Sequence, residues 1–454
     1  MVRKQEERQE LRRGLKERHV QLIAIGGSIG VGLFLGSAIA IQTAGPSLLV
    51  TYLVGGLVVF CLLRALGEVA VAYPVAGSFS AYAHKFLGPL AGYLTGWTYW
   101  FMWIITGMAE ITAVGVYINF WLPELPQWIP ALAAVFIMTI INLIAVEVYG
   151  EFEFWFALIK VIAIVLLILG GLGMIIFGIG NAGTPVGISH LWQHGGFFPH
   201  GINGTIAALA MVLFSYVGIE VIGITAGEAK NPGKTLPAAI DKVFWRILLF
   251  YIGSLYVIMS IYPWTEIGSF GSPFVSVFEK LGIDNAAGIM NFVVLSAALS
   301  SCNSGIFSTG RMLFTLASQG EAPAFLARLN GSQVPVNGVL VSSACLLAGV
   351  GLNYLIPAKV FTYVTSIGTF ACLWVWATIL IVQLKFRRSL SKLQVGELAY
   401  PMPWYPASGI FCLIMLLVVA GIMSRDADTA LALFLGPLWL LGLMVSYVLS
   451  RRTP

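Results

Sequence analysis

Apolar residues in this chain run on for about twenty positions at a time, and they do so about twelve times. A helix rising 1.5 Å per residue needs about 20 apolar residues to cross a hydrocarbon layer about 30 Å thick. In that layer every backbone N–H and C=O must find its partner inside the protein, so only helices and closed barrels span it. The stretches lie near residues 20–42, 47–67, 90–119, 126–146, 154–178, 205–228, 241–263, 286–316, 334–355, 358–384, 404–424 and 429–450. Barrel strands alternate over about ten residues; these runs are too long and too continuous. The expected fold is all-α and polytopic, with twelve transmembrane helices.

Composition narrows the function. Only 10% of the 454 residues are charged, 58% are hydrophobic, and the mean hydropathy is +0.89. A soluble globular protein carries about 25% charged residues. A water-soluble enzyme, a nucleic-acid binder and a disordered scaffold are thereby excluded. Cys61, Cys302, Cys345, Cys372 and Cys412 all lie in apolar stretches without a C-x-x-C pair. They read as small buried hydrophobes and not as a disulfide or zinc framework. His190, His194 and His200 fall in the Gly-rich segment 179–204, which reads as a solvated loop. No metal and no cofactor is expected.

The few charges are unevenly placed. Arg3, Lys4, Arg8, Arg12, Arg13, Lys16 and Arg18 crowd the first nineteen residues, with no small-residue cleavage site before the first span. Residues 1–19 therefore read as a cytoplasmic tail and not as a signal peptide. Threading twelve helices from there leaves twenty-one of the 25 Lys and Arg on the side of the termini. Lys280, Lys359 and Arg425 fall on the other side, and Lys160 lies within a span. Excess positive charge inside is the rule for membrane proteins, so both termini are expected in the cytoplasm. No connection is long enough for a separate soluble domain.

Two of the spans look interrupted. The first holds Gly26, Gly27, Gly30, Gly32 and Gly36 within eleven residues, and each Gly costs a helix about 1 kcal/mol against Ala. The G-x-x-x-G pairs among them also suit close helix packing. The sixth span carries Phe214-Ser215-Tyr216-Val217-Gly218-Ile219-Glu220 in mid-membrane. These two helices open two successive blocks of five. Matching interruptions in two halves of a chain point to a transporter's midplane binding site. Unwound backbone offers N–H groups to a carboxylate at one half-helix end and carbonyls to an ammonium at the other. Such a site suits an amino acid.

A charge within hydrocarbon costs about 2.5–3.5 kcal/mol even on the lenient insertion scale. Glu110 is the one charge between Trp97 and Trp121, and Lys160 stands alone in Phe154–Phe177. Glu110 is either a proton-carrying residue or a hydrogen-bonded packing residue. Lys160 either snorkels to the interface or faces inward as an amine that gains and loses a proton. Glu220 reads equally as a proton carrier or as a brace for the sixth-span break. Arg64 and Glu68, four residues apart, are expected to pair. Ser300, Ser301, Asn303 and Ser304 form a polar cluster suited to partnering a buried lysine or to binding helices together.

The same residues carry a resemblance. Arg13-Gly14-Leu15, Gly30-Val31-Gly32-Leu33-Phe34, Ala44-Gly45-Pro46 and Arg64-Ala65-Leu66-Gly67-Glu68 are its first landmarks. Gly88-Pro89-Leu90-Ala91-Gly92-Tyr93, Gly150-Glu151-Phe152-Glu153-Phe154-Trp155, Ala226-Gly227-Glu228-Ala229 and Arg311-Met312-Leu313 follow. The chain resembles the bacterial amino acid transporter family of the amino acid–polyamine–organocation superfamily, with its proline, histidine, alanine and aromatic permeases. The match runs from about Leu11 to Arg388 and then fades. It implies a leucine-transporter-type core of two inverted five-helix repeats over residues 20–400, then two more helices and a short cytoplasmic end over 401–454. It further implies alternating access in a bacterial plasma membrane, with an amino acid and a proton as partners.

By this likeness, amides near Gly30, Val31 and Gly32 hold the substrate carboxylate. Carbonyls near Ser28 and of Phe214 and Val217, beside Gly218, hold the amine. The Phe214 ring caps the pocket. Lys160 matches a lysine that stands in for a sodium ion in proton-coupled relatives, which favours symport over the alternative, exchange. Val31 departs from the Thr that many relatives carry. Lys160, Glu110 and Glu220 are the expected proton-coupling residues. Phe214 and the Gly107–Met108 neighbourhood favour an apolar or small side chain, with proline or alanine ahead of histidine or an aromatic. An enzyme finds no support in an H-E-x-x-H motif, and a channel finds none in a T-V-G-Y-G filter; neither occurs.

Overall fold

In a computed structural model the chain is described over residues 29–75, 78–144, 146–225, 232–267, 272–280 and 285–450. The N-terminal tail and Ser28 lie outside the described residues. Helices account for every regular element among them, without a strand. Eight are long and apolar enough to cross a membrane, counting Gly36–Ala72 as one run, and three shorter apolar helices accompany them.

The elements that position the site are α1 (Val31–Phe34), α2 (Gly36–Ala44), α3 (Leu48–Ala72), α4 (Ser78–Leu87), α5 (Pro89–Asn119), α6 (Trp128–Ile144) and α7 (Val146–Phe177). They continue with α8 (Leu209–Ser215), α9 (Pro232–Arg246), α10 (Ala286–Ser318), α11 (Val336–Leu355), α12 (Val360–Ser389), α13 (Ala407–Met423) and α14 (Ala427–Ser450). The run Gly36–Ala72 turns at Gly45, whose φ of +61° favours glycine. A Cβ there would also strike the Pro199 ring. The segment 179–204 is largely exposed, as expected of a solvated loop, and its later part is tied down: Trp264 Nε1 donates to the His194 carbonyl at 2.9 Å, and His200 meets Trp264 edge-on.

Helix α4 is not among the apolar stretches, because its sequence SFSAYAHKFL is amphipathic. It lies along α5, where Gly92 makes room for His84. Gly88, at φ +103°, ends it, and Pro89 opens α5 at a position that needs no N–H donor. The central helices are α5 and α10, with 83% of their most apolar windows buried inside the protein, whereas only 22% of α14's is. Phe136, Ile140, Leu166, Leu169 and Leu417 are exposed, as lipid-facing side chains are.

One expected contact is absent. Arg64 does not pair with Glu68, although both sit on α3. Arg64 Nη1 reaches Asp241 Oδ1 of α9 at 3.1 Å, and Glu68 Oε2 faces Arg387 Nη2 of α12 at 3.5 Å. The Glu68 side chain is fully buried while that of Arg64 is partly exposed, and neighbouring helices supply each with its own partner.

Candidate functional site

Helix α1 begins behind Gly30, which is extended (φ −125°, ψ −160°). The opening turn of any helix leaves its first N–H groups without a partner in the helix itself. Here the Val31 N–H donates to Glu110 Oε1 of α5 at 3.4 Å. A Cβ on Gly30 would stand 2.9 Å from that same oxygen and 3.3 Å from Ser301 Oγ. Gly32 touches α8 directly: its Cβ would lie 2.5 Å from Ser215 Cα. The Ser215 hydroxyl lies 2.8 Å from the Gly32 carbonyl and joins the two segments.

The second interruption falls where expected. Helix α8 stops at Ser215, the chain passes through Tyr216–Glu220 as turns, and helix resumes at Val221. Gly218 has φ +99°, a conformation that excludes most side chains. Its N–H donates to Glu220 Oε2 at 3.1 Å, so Glu220 braces the break it follows. Glu110 and Glu220 therefore each accept a backbone N–H at one of the two breaks.

Behind the breaks stands a tyrosine mesh that sequence reading missed. Tyr52 OH lies 3.2 Å from Ser215 Oγ, Tyr216 OH donates to the Tyr52 carbonyl at 2.9 Å, and Tyr251 OH donates to the Ser215 carbonyl at 3.2 Å. Tyr251 rides on a π-helical stretch, Ile247–Gly253. Such insertions often mark functional segments.

Lys160 faces inward and is fully buried. Its Nζ donates to the Ile29 carbonyl at 3.1 Å and to Ser300 Oγ at 3.0 Å, and the Ser300 hydroxyl donates to Glu153 Oε1 at 2.7 Å. One hydroxyl, with one donor and two acceptor lone pairs, thus serves the amine and the carboxylate together. Glu153 was not among the expected site residues. Its signal is the spacing: seven residues, two helical turns, put it on the face of α7 that carries Lys160. Asn303 enters the same layer, accepting from Asn142 Nδ2 at 2.7 Å.

The segment Ile29–Val31 is consequently held at its carbonyl by Lys160 and at its amide by Glu110. Gly30, Val31, Gly32, Glu110, Lys160, Ser300 and Ser301 come together there, whereas Glu220 serves its own break. Phe214 is buried with its ring against Gly368 of α12, where a Cβ would stand 3.0 Å from Cε2, and Val217 is buried one turn on. Met108 packs against Gly349 of α11, which has room for it only because it lacks a Cβ.

The amino acid permease family model matches residues 19–454. An uncharacterised amino acid permease of Bacillus subtilis (strain 168), YtnA, is 60% identical over 443 residues, covering 98% of this chain and 96% of the relative. A probable threonine/serine transporter of the same organism, YbxG, is 48% identical over 447 residues, again with 98% and 96% covered. The aromatic amino acid transport protein AroP of Escherichia coli O157:H7 is 45% identical over 454 residues, with 100% and 98% covered.

Proposed function

The chain belongs to the amino acid permease family, and from that premise we propose that it imports a neutral L-amino acid together with a proton. In this reading twelve helices thread the bacterial plasma membrane with both termini in the cytoplasm. The first ten form two inverted repeats of five, and α13 and α14 are additions to them.

The substrate sits between the two breaks. Its carboxylate takes the amides of Val31 and Gly32, displacing Glu110 from the first. Its ammonium faces the carbonyls of Phe214 and Val217, with Ser28 supplying another. Gly218 keeps the backbone open at this point, Phe214 closes over the ligand, and Met108 borders the side-chain end. Threonine, serine and aromatic residues, the substrates in two relatives' names, are uncharged, which supports a neutral substrate; proline and alanine stay first in line.

The observation that carries proton coupling is the chain from the Ile29 carbonyl through Lys160 and Ser300 to Glu153. A protonated amine grips that carbonyl with a charge-assisted bond, roughly twice as strong as a neutral one. Once the proton leaves, the grip weakens and residues 29–31 are free to move. Protonation of Glu110 or Glu220 likewise withdraws an anionic acceptor from a backbone amide. Each proton thus changes the hold on one break, which is what alternating access requires of a coupling ion.

Uptake into proteoliposomes tests the reading. Labelled amino acid should accumulate against its gradient when the outside is acidic, and the twenty amino acids in competition should identify the substrate. Uptake indifferent to the proton gradient but dependent on internal amino acid would establish exchange and overturn symport.

A further inference from the structure

The connection between α12 and α13 does more than join two helices. It begins with a capped turn, the Ser391 N–H donating to Gln394 Oε1 at 2.9 Å, and then crosses the ends of α3, α9 and α12. Tyr400 and Met402 are buried along this path. Gly67 of α3 forms the seat, since a Cβ there would lie 2.9 Å from the Tyr400 ring and 2.6 Å from Ile240 of α9.

Two sets of contacts fasten it. In the first, Tyr400 OH donates to Asp241 Oδ1 at 2.7 Å, Arg64 donates to the same oxygen at 3.1 Å and to the Pro401 carbonyl at 2.7 Å, and the Arg64 guanidinium lies 3.8 Å from the centre of the Tyr400 ring. In the second, Glu68 accepts from the Met402 N–H and, at 3.0 Å, from Gln383 Nε2, and faces Arg387, which in turn lies over the Tyr405 ring at 4.8 Å. Burial, with the Asp241 carboxylate beside it, raises the Tyr400 phenol and keeps it a donor.

We propose that residues 400–405 are a latch that clasps α3, α9 and α12 into one block and sets how often this end of the molecule opens. The two sets are not equal. The Asp241 side chain is 56% exposed, whereas that of Glu68 is fully buried. An exposed pair breaks cheaply and a buried one does not. The Glu68 half is the permanent anchor, and the Asp241 half is the catch that releases. Helix α13 holds the strap in place: the Ser408 hydroxyl ties α13 to the Pro403 carbonyl, and Cys412 of α13 lies 3.6 Å from the Val58 carbonyl of α3. The clasp goes beyond the transport reading and rests on it only for naming this end cytoplasmic.

Native thiols report the latch. Cys61 lies one turn deeper on α3 than Arg64, and Cys412 is beside it; both are buried. In the purified full chain without substrate, N-ethylmaleimide labelling mapped by mass spectrometry reads the opening frequency at each cysteine. Loss of one hydrogen bond of ordinary strength changes an opening equilibrium about fivefold. Tyr400→Phe and Asp241→Asn should therefore raise labelling of Cys61 and Cys412 about three- to tenfold, leaving buried Cys302 and the melting temperature unchanged. Unchanged Cys61 and Cys412 rates in both variants would overturn the latch. So would an equal rise at Cys302 with a lower melting temperature, which marks general loosening. Because no substrate is added, failure here is separate from failure of the transport reading.

Discussion

Gly32→Ala places one methyl group at the tightest contact between the two breaks. The new Cβ would meet Ser215 Cα at 2.5 Å and Ser215 N at 3.1 Å, where ordinary contact begins at 3.4 Å. Both atoms are backbone, so no rotamer change relieves the clash, and α1 and α8 must part by about 1 Å. Overpacking of this kind costs typically 1–3 kcal/mol. The 2.8 Å bond from the Ser215 hydroxyl to the Gly32 carbonyl stretches at the same time, costing about 1 kcal/mol more. Together these come to about 2–4 kcal/mol, on the order of a hundredfold in the population of the intact site. Gly36→Ala is the control: its Cβ would meet the Met211 sulfur at 2.8 Å, and a flexible thioether can swing aside. Uptake efficiency measured in proteoliposomes should fall about a hundredfold for Gly32→Ala and less than fivefold for Gly36→Ala. A Gly32→Ala protein that takes up substrate within threefold of wild type would refute the reasoning.

Further outcomes follow from the other contacts. Ser300→Ala removes the hydroxyl shared by Lys160 and Glu153; uptake should drop at least tenfold, and wild-type rates would mean the hydroxyl is dispensable. Gly218→Ala forces a side chain into φ +99°, at a cost of about 1–3 kcal/mol, so melting temperature and uptake should fall together; an unchanged melting temperature would contradict this. Arg387→Leu strips the buried Glu68 of its cationic partner, a loss of about 3–5 kcal/mol. Thermal unfolding should show that loss and its partial recovery in the double variant with Glu68→Gln, and no recovery would speak against the pairing.

The all-helical, membrane-spanning character was legible because hydropathy acts locally: an apolar stretch announces a helix without reference to its neighbours. The glycines of the first span and the Phe214–Glu220 interruption were legible for the same reason, since backbone freedom is written in the residue itself. The amphipathic α4 escaped notice because it lacks an apolar run. Partnerships were harder. Lys160 reads as solitary in Phe154–Phe177, yet Glu153 stands one residue before that stretch and two turns down the same face. Arg64 and Glu68 satisfy the i,i+4 rule, but Asp241 and Arg387 arrive from 177 and 319 residues further along the chain. The meeting of Tyr52, Ser215 and Tyr251 is likewise a product of packing, and no local pattern encodes it.

In the proposed symport the proton is carried through Lys160. Liposomes loaded with a pH-sensitive dye measure it directly, by recording internal acidification when the transported amino acid is added outside. Wild-type protein should acidify the lumen as substrate enters, and Lys160→Ala should abolish the proton signal while retaining measurable substrate binding. Acidification by Lys160→Ala at the wild-type proton-to-substrate ratio would contradict the account.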